Sequence, residues 1–255
     1  MPAASAAGLE PAAPCELLDW DSRHFGFRVA SVLDNSLSQE SAEEIDDWCA
    51  EVGVRCLYLL ADADDGATAE IAAGHGYREA DVRVTMTRPM DGVEELPLGG
   101  PETMEIREAS EDELDPLLDL AGQSHLTSRF YADPEFPRER SDALYRAWLE
   151  RGFRHPDHGL LVALVDGEPA GYMVYSQLVV NGEGHGELGA VDERFRRRGI
   201  ARALHVAMFR LLADRGAEVH RGVLSGRNPP ILRLHERLGF QTDKREVWHH
   251  KWFAM

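Results

Sequence analysis

Five arginines fall within nine residues, Arg194 to Arg202, in a chain whose formal net charge is −18. Such a local inversion of sign needs an anionic partner. The run Arg196-Arg197-Arg198-Gly199-Ile200-Ala201 lies between a predicted strand over 186–192 and a predicted helix over 199–215. Ile200, Leu204, Ala207, Met208, Leu211 and Leu212 follow the helical period. The start of such a helix presents backbone N–H groups without intrahelical partners, and the positive end of its dipole. Gly199 removes a side chain where a ligand must approach the backbone closely. The chemistry suits a polyanion, most simply a pyrophosphate. A solvated basic loop facing an acidic surface is the plain alternative. The strand before, the glycine within and the helix after favour the anion site.

The elements that must carry this site divide into two segments. Residues 89–103, rich in Pro, Gly and acid, have the composition of a linker. The pattern predicts a disordered lead-in over 1–14, an N-terminal domain over 15–90, a linker over 91–102 and a catalytic domain over 103–255. In the first segment the periodicity predicts helices over 38–52 and 67–74, and strands over 28–33, 54–61 and 81–88. In the second it predicts strands over 104–108, 158–165, 169–178, 186–192, 218–224 and 246–253. Helices are expected over 111–122, 137–151, 199–215 and 228–238. Ser110 and Glu113 have the spacing of a capping box. Asp166-Gly167 signals a hairpin. Both segments end alike: a helix, then Gly76-Tyr77 or Gly239-Phe240, then a strand. This is the mark of an internal repeat with a degenerate first copy.

The R-x-x-G-x-A run between strand and helix resembles the acyl-CoA pyrophosphate loop of the GNAT superfamily of N-acetyltransferases. Leu188-Gly189-Ala190-Val191 resembles the family strand that splays from its neighbour and binds pantetheine. Asn228, eleven residues before Gly239-Phe240, resembles the family's second motif. Trp20-Asp21-Ser22, Phe25-Gly26-Phe27, Ser128-Arg129-Phe130-Tyr131, Asp133, Phe136-Pro137, Tyr145 and Trp148 are similar to the TDP-fucosamine acetyltransferase-like branch. The resemblance implies an α/β (α+β) GNAT fold: a mixed, mostly antiparallel sheet flanked by helices, with a smaller degenerate GNAT-like N-terminal domain. It implies acetyl-CoA as acyl donor, no metal, and a small-molecule amine acceptor, in that branch a nucleotide-linked amino-dideoxy sugar. Acyl-CoA contacts are expected from Leu188, Gly189, Ala190, Val191, Arg196, Arg197, Arg198, Gly199, Ile200, Ala201 and Asn228. The amine would attack the thioester directly after losing a proton. Glu187, on the strand entering the site, is the candidate base; His185 is a second. The family tyrosine that protonates the leaving thiolate stands seven residues after the asparagine, and here that position is His235. An imidazolium could donate that proton, or His235 could only contact the sulfur; Tyr131, Tyr145 and Tyr175 are substitutes. His125, Arg129, Phe130 and Tyr131 are expected to cover the acceptor, with Arg129 available to a substrate phosphate. The rival readings are acetylation of another metabolite or antibiotic-like amine, and an acyl-CoA-binding module without turnover.

Length and composition narrow the classes. The 255 residues carry 27 Lys+Arg against 45 Asp+Glu, a balance that argues against nucleic acid as main partner. Hydrophobic residues make up 44 %, enough for a real core. No apolar run is long enough for a transmembrane helix, and the N-terminus lacks signal-peptide character. The three cysteines, Cys15, Cys49 and Cys56, suit a reducing compartment and no zinc site. A cytoplasmic enzyme, with a homodimer as one assembly, is the expectation.

Overall fold

A computed structural model describes residues 13–254. The expected lead-in lies outside them except for Ala13 and Pro14. The chain forms two units, one of residues 1–79 with 247–255 and one of residues 80–246.

The first unit contains β1 (Cys15–Leu17), α1 (Asp19–Phe25), β2 (Val29–Val32), α2 (Gln39–Val52), β3 (Cys56–Asp62) and α3 (Gly66–Gly74). Strand β2 pairs antiparallel with β1 and parallel with β3. Ser38 starts α2 by accepting the Ser41 N–H at 3.0 Å, and Gly53 ends it in the left-handed region. The apolar face of α2, Ile45 and Cys49, packs on Leu57 and Leu59 of β3. Helix α1 was not predicted from periodicity; it is too short to show one.

The second unit contains most of β4 (Arg78–Pro89), then β5 (Met104–Glu108), α4 (Glu111–Ser124), α5 (Arg129–Ala132), α6 (Arg138–Arg154), β6 (His158–Val165), β7 (Glu168–Ser176), β8 (Glu183–Val191), α7 (Ile200–Asp214), β9 (Val219–Ser225), α8 (Pro229–Arg237) and the start of β10 (Gln241–Trp252). Six strands stand in the order β4-β9-β8-β7-β6-β5. Only β8 and β9 run parallel; the other neighbours are antiparallel. Asp166 and Gly167, at φ 52° and 82°, make the β6–β7 hairpin. The apolar stripe of α7 (Ile200, Leu204, Met208, Leu212) fills one face of the sheet. Ser110 starts α4 by donating its N–H to Glu113 at 2.7 Å. Arg107 and these Ser110 bonds hold the Glu113 carboxyl down at about 2.

The division differs from the predicted one. Residues 91–102 do not link the units; they lie inside the second one as a strap along α7. Val93 is buried in the α7 core, with Leu96 and Leu98 packed against it. Arg210 donates to the Glu94 and Leu96 carbonyls, and Arg202 to those of Pro97 and Leu98. Composition read as linker because Pro and Gly cannot enter a ladder, yet the strap's carbonyls are satisfied by arginines. Strands β4 and β10 each begin in one unit and finish in the other. The two Gly-aromatic steps share one backbone pattern. Tyr77 N–H bonds the Ala72 carbonyl and Phe240 N–H the His235 carbonyl, both five residues back at 3.0 Å. Gly76 and Gly239 precede them at φ 80° and 87°. A left-handed residue at that point ends both helices in the same way.

Candidate active site

The site begins where two parallel strands part. Strand β8 pairs with β9 only through Glu183, Gly184 and His185. The next amide, of Gly186, donates not to the β9 backbone but to a β9 side chain, His220 Nε2, at 3.0 Å. Against β7 the register slips at the same place: Tyr175 faces Gly186, whereas Val174 faces Leu188. Glu187 is thus the extra residue of a β-bulge, which bends the strand and re-aims its side chains. The Asp192 amide bonds the Ala170 carbonyl on β7. By the two-residue period, the Gly189 and Val191 amides point away from β7, into the gap left by β9. His185, the second candidate base, belongs to β8 and lies 4.0 Å from Glu183.

The bulge turns Glu187 and Leu188 into one cavity of about 310 Å³, lined by Trp148, Arg151 and Gly152 of α6, His158 of β6 and Val174 of β7. His158 Nε2 lies 3.0 Å from Glu187 Oε1. Since a carboxylate only accepts, Nε2 is the donor. Nδ1 is buried with no partner among the described residues. His158 carries no signal in the sequence. Two strand registers and a bulge separate it from Glu187, and no spacing rule spans them.

At the far end of β8 the chain enters the arginine run. Asp192 accepts the Arg194 N–H, starting a short 3-10 turn. Arg197 at φ 64° and Gly199 at φ 84° then turn the chain into α7. A Cβ on Gly199 would stand 3.2 Å from the Gly100 nitrogen, so a side chain there is crowded by backbone as well as strained by φ. No side chain caps α7, and its first bonded amide is that of Ala203, to the Gly199 carbonyl. The Ile200 and Ala201 amides therefore remain available at the helix start. Arg196, Arg197 and Arg198 are exposed there. Arg196 Nε holds the Val191 carbonyl and Arg198 lies over Phe195. The other two arginines are engaged, Arg194 by Asp192 and Glu168, Arg202 by the strap. A second cavity of about 380 Å³ joins this turn to Leu120, Gln123 and Ser124 of α4. Free amides, a close-approach glycine and exposed guanidinium groups fit the diphosphate of acetyl-CoA. Ile200 is buried, so it contributes backbone and not side chain.

The second motif is placed differently from expectation. Asn228 is half-buried at the start of α8, its N–H on the Ser225 carbonyl, with Pro229 and Pro230 following. His235 is 2 % exposed, packed against His205 at 4.8 Å and Phe240 at 4.6 Å. Its Nδ1 donates to the Ile231 carbonyl at 3.0 Å. Burial, reinforced by His205, pushes its pKa down to about 3. A neutral imidazole whose one N–H is committed to the helix is not an acid for a leaving thiolate, so that expected role is corrected. The substitute tyrosines are engaged too. Tyr131 donates to Asp142 at 2.7 Å and Tyr175 to Glu108 at 2.5 Å. Burial holds the Tyr145 phenol up at about 12.

The predicted acceptor set is brought together, but as packing. His125 stacks on Tyr145 at 4.4 Å and bonds the Tyr172 hydroxyl at 2.8 Å. Burial pushes its pKa down to about 4. Tyr131 stacks on the same Tyr145 at 5.9 Å. Phe130 is 3 % exposed, against Phe136 and Trp148. Arg129 lies over the Phe130 ring, 4.3 Å from its centre. This cluster supports α6 and, through Trp148, one wall of the Glu187 cavity.

Comparisons with known proteins agree with this arrangement. Residues 125–240 match the acetyltransferase (GNAT) family. The spore coat polysaccharide biosynthesis protein SpsD of Bacillus subtilis (strain 168) is 26 % identical over 155 residues, covering 60 % of this chain and 52 % of that protein. The chain thus spans about half the length of that curated relative. A GCN5-related N-acetyltransferase from Sphaerobacter thermophilus superposes with a TM-score of 0.67 at 18 % identity, covering 93 % of this chain and 76 % of that one. A GCN5-related N-acetyltransferase from Kribbella flavida superposes at 0.57 and 16 % identity, over 89 % and 82 % of the two chains. The parted parallel strand pair and the uncapped helix behind the arginine-glycine turn both lie within residues 125–240, the part of the chain that matches the acetyltransferase (GNAT) family.

Proposed function

We propose that the protein is an acetyl-CoA-dependent N-acetyltransferase acting on the primary amine of a small molecule, the best-supported acceptor being a nucleotide-linked amino-dideoxy sugar. The observation that carries this is Glu187. It stands at the bulge where β8 leaves β9, inside a cavity, with His158 on one carboxylate oxygen. Acetyl-CoA, when bound, supplies the acetyl group as a thioester. The chain's own residues then have four tasks. The Ile200 and Ala201 amides with Arg196, Arg197 and Arg198 hold the diphosphate. The gap between β8 and β9 receives the pantetheine arm beside Leu188, Gly189, Ala190 and Val191. The Gly189 and Val191 amides offer donors toward that arm. Glu187, oriented by His158, takes the proton from the acceptor ammonium, directly or through water. No protein nucleophile is required, because the amine itself attacks.

The Bacillus subtilis relative is named for polysaccharide biosynthesis, which suits a sugar acceptor. The alternative of binding without turnover draws support from His235, where no proton donor stands. Incubation with acetyl-CoA and a panel of amines, following release of free thiol, separates the two. Thiol release dependent on an amino-sugar nucleotide is expected. Acetyl-CoA binding with no release for any amine overturns the enzymatic reading; release only with a different amine class overturns the acceptor.

A further inference from the structure

Helix α6 carries several arginines whose partners differ in a telling way. Arg138 pairs with Asp142 at 3.2 Å, Arg146 with Asp119 at 2.8 Å, and Arg154 with Glu111 and Glu150 at 3.2 and 3.1 Å. Arg151 has no side-chain hydrogen bond or ion pair among the described residues, although the chain carries an excess of 18 negative charges. It is exposed and lines the same cavity as Glu187. Glu187 forms no ion pair with it among the described residues and meets His158 instead. Trp148 stands three residues before Arg151, on the same side of the helix. It is 37 % exposed and also lines the cavity. Its ring is braced by Phe130 and Tyr145 at 6.1 and 5.3 Å. The cavity thus offers a carboxylate, an aromatic surface and an uncompensated guanidinium.

The geometry points to an acceptor subsite in which Arg151 binds an anionic group of the acceptor while Trp148 packs against its ring and Glu187 faces its amine. This rests on the acetyltransferase reading and deepens it: the acceptor is an amine that also bears a phosphate or similar anion. A volume of about 310 Å³ admits one sugar-sized ring, leaving the rest of a larger acceptor outside. A planar fork such as guanidinium favours phosphate bidentately, and lysine reproduces only the charge. The role sought for Arg129 thereby passes to Arg151, since Arg129 lies over Phe130.

The test compares two probes carrying the same amine: a thymidine-diphosphate-linked 4-amino-4,6-dideoxyhexose and the methyl glycoside of that amino sugar. Binding is followed by calorimetry and turnover by thiol release. Arg151→Gln is expected to raise the KM and Kd of the diphosphate-linked probe at least about tenfold. It should leave the methyl glycoside and acetyl-CoA affinity unchanged, with kcat for both probes kept. Arg151→Lys should recover part of the loss. Equal effects on both probes, no effect on either, or a wild type that binds neither probe or prefers the methyl glycoside would overturn the subsite. Arg151-dependent binding without thiol release would uphold the subsite and overturn turnover instead.

Discussion

A carboxylate becomes a useful base when something fixes its direction without removing its lone pairs from the substrate. His158 does this for Glu187 by occupying one oxygen at 3.0 Å. Glu187→Gln is therefore expected to lower kcat by about 10²-fold while acetyl-CoA affinity, measured by calorimetry, stays at the wild-type value. An unaffected kcat would remove Glu187 from the chemistry. His235→Phe tests the opposite expectation. Because the neutral imidazole is enclosed by His205 and Phe240, turnover should be unchanged, and the urea midpoint is the quantity that moves. A selective loss of kcat would restore His235 to the site. Single residues were legible in uneven measure. Glu187 could be named from its place before the splayed strand. Its partner could not, because the Glu187–His158 contact depends on a strand register and a bulge. His235 was misjudged for a related reason: a motif position tells which residue occupies a helix face, not whether that face is solvated.

At the scale of elements, the turn into α7 is the best-determined part of the site. Its glycine has two separate constraints, φ 84° and the Gly100 backbone 3.2 Å from any added Cβ. Gly199→Ala should weaken acetyl-CoA binding about tenfold and cost about 1 kcal/mol of stability, since it strains the turn that aims the amides. Calorimetry and urea unfolding read the two effects separately; unchanged affinity would move the diphosphate elsewhere. This turn was readable because strand, arginines, glycine and amphipathic helix are consecutive in sequence. The strap over 91–102 was not. Its residues carry no periodicity, and what binds it to α7 is a set of its own carbonyls accepting from Arg202 and Arg210. Composition cannot report such bonds. The sheet strands were readable from their dense apolar runs, whereas α1 and α5 are too short to show a helical stripe.

For the molecule as a whole, buried histidines set the response to acid. In the second unit burial lowers the pKa of His125 to about 4, of His235 to about 3, and of His205 and His220 as well. Phe209 and Phe240 enclose His220, and Arg88 adds to its reluctance to charge. Each group binds a proton in the unfolded chain below about pH 6.5 but stays neutral when folded. Their stabilisation is complete above that pH and is lost as pH falls below it. Between pH 7 and 5.5 His125 and His235 should each cost about 1 kcal/mol, with His205 and His220 adding in the same direction. Urea midpoints at the two pH values check this, and equal midpoints would refute it. The boundary of the two units was the least legible feature at this scale, because β4 and β10 show no change of composition where they pass from one unit to the other.

That passage limits how the protein can be cut. Within the second unit, Arg83 to Pro89 of β4 pair with Ser225 to Val219 of β9. A shortened chain starting after the strap would keep the arginine-glycine turn and Asn228 and yet leave β9 with a bare flank of unsatisfied N–H and C=O groups, an invitation to self-association. A chain that keeps Ala80 to Pro89 retains the cover on β9, so that stretch of backbone, which holds none of the arginine-glycine motif, sets the shortest N-terminal boundary compatible with a monomer.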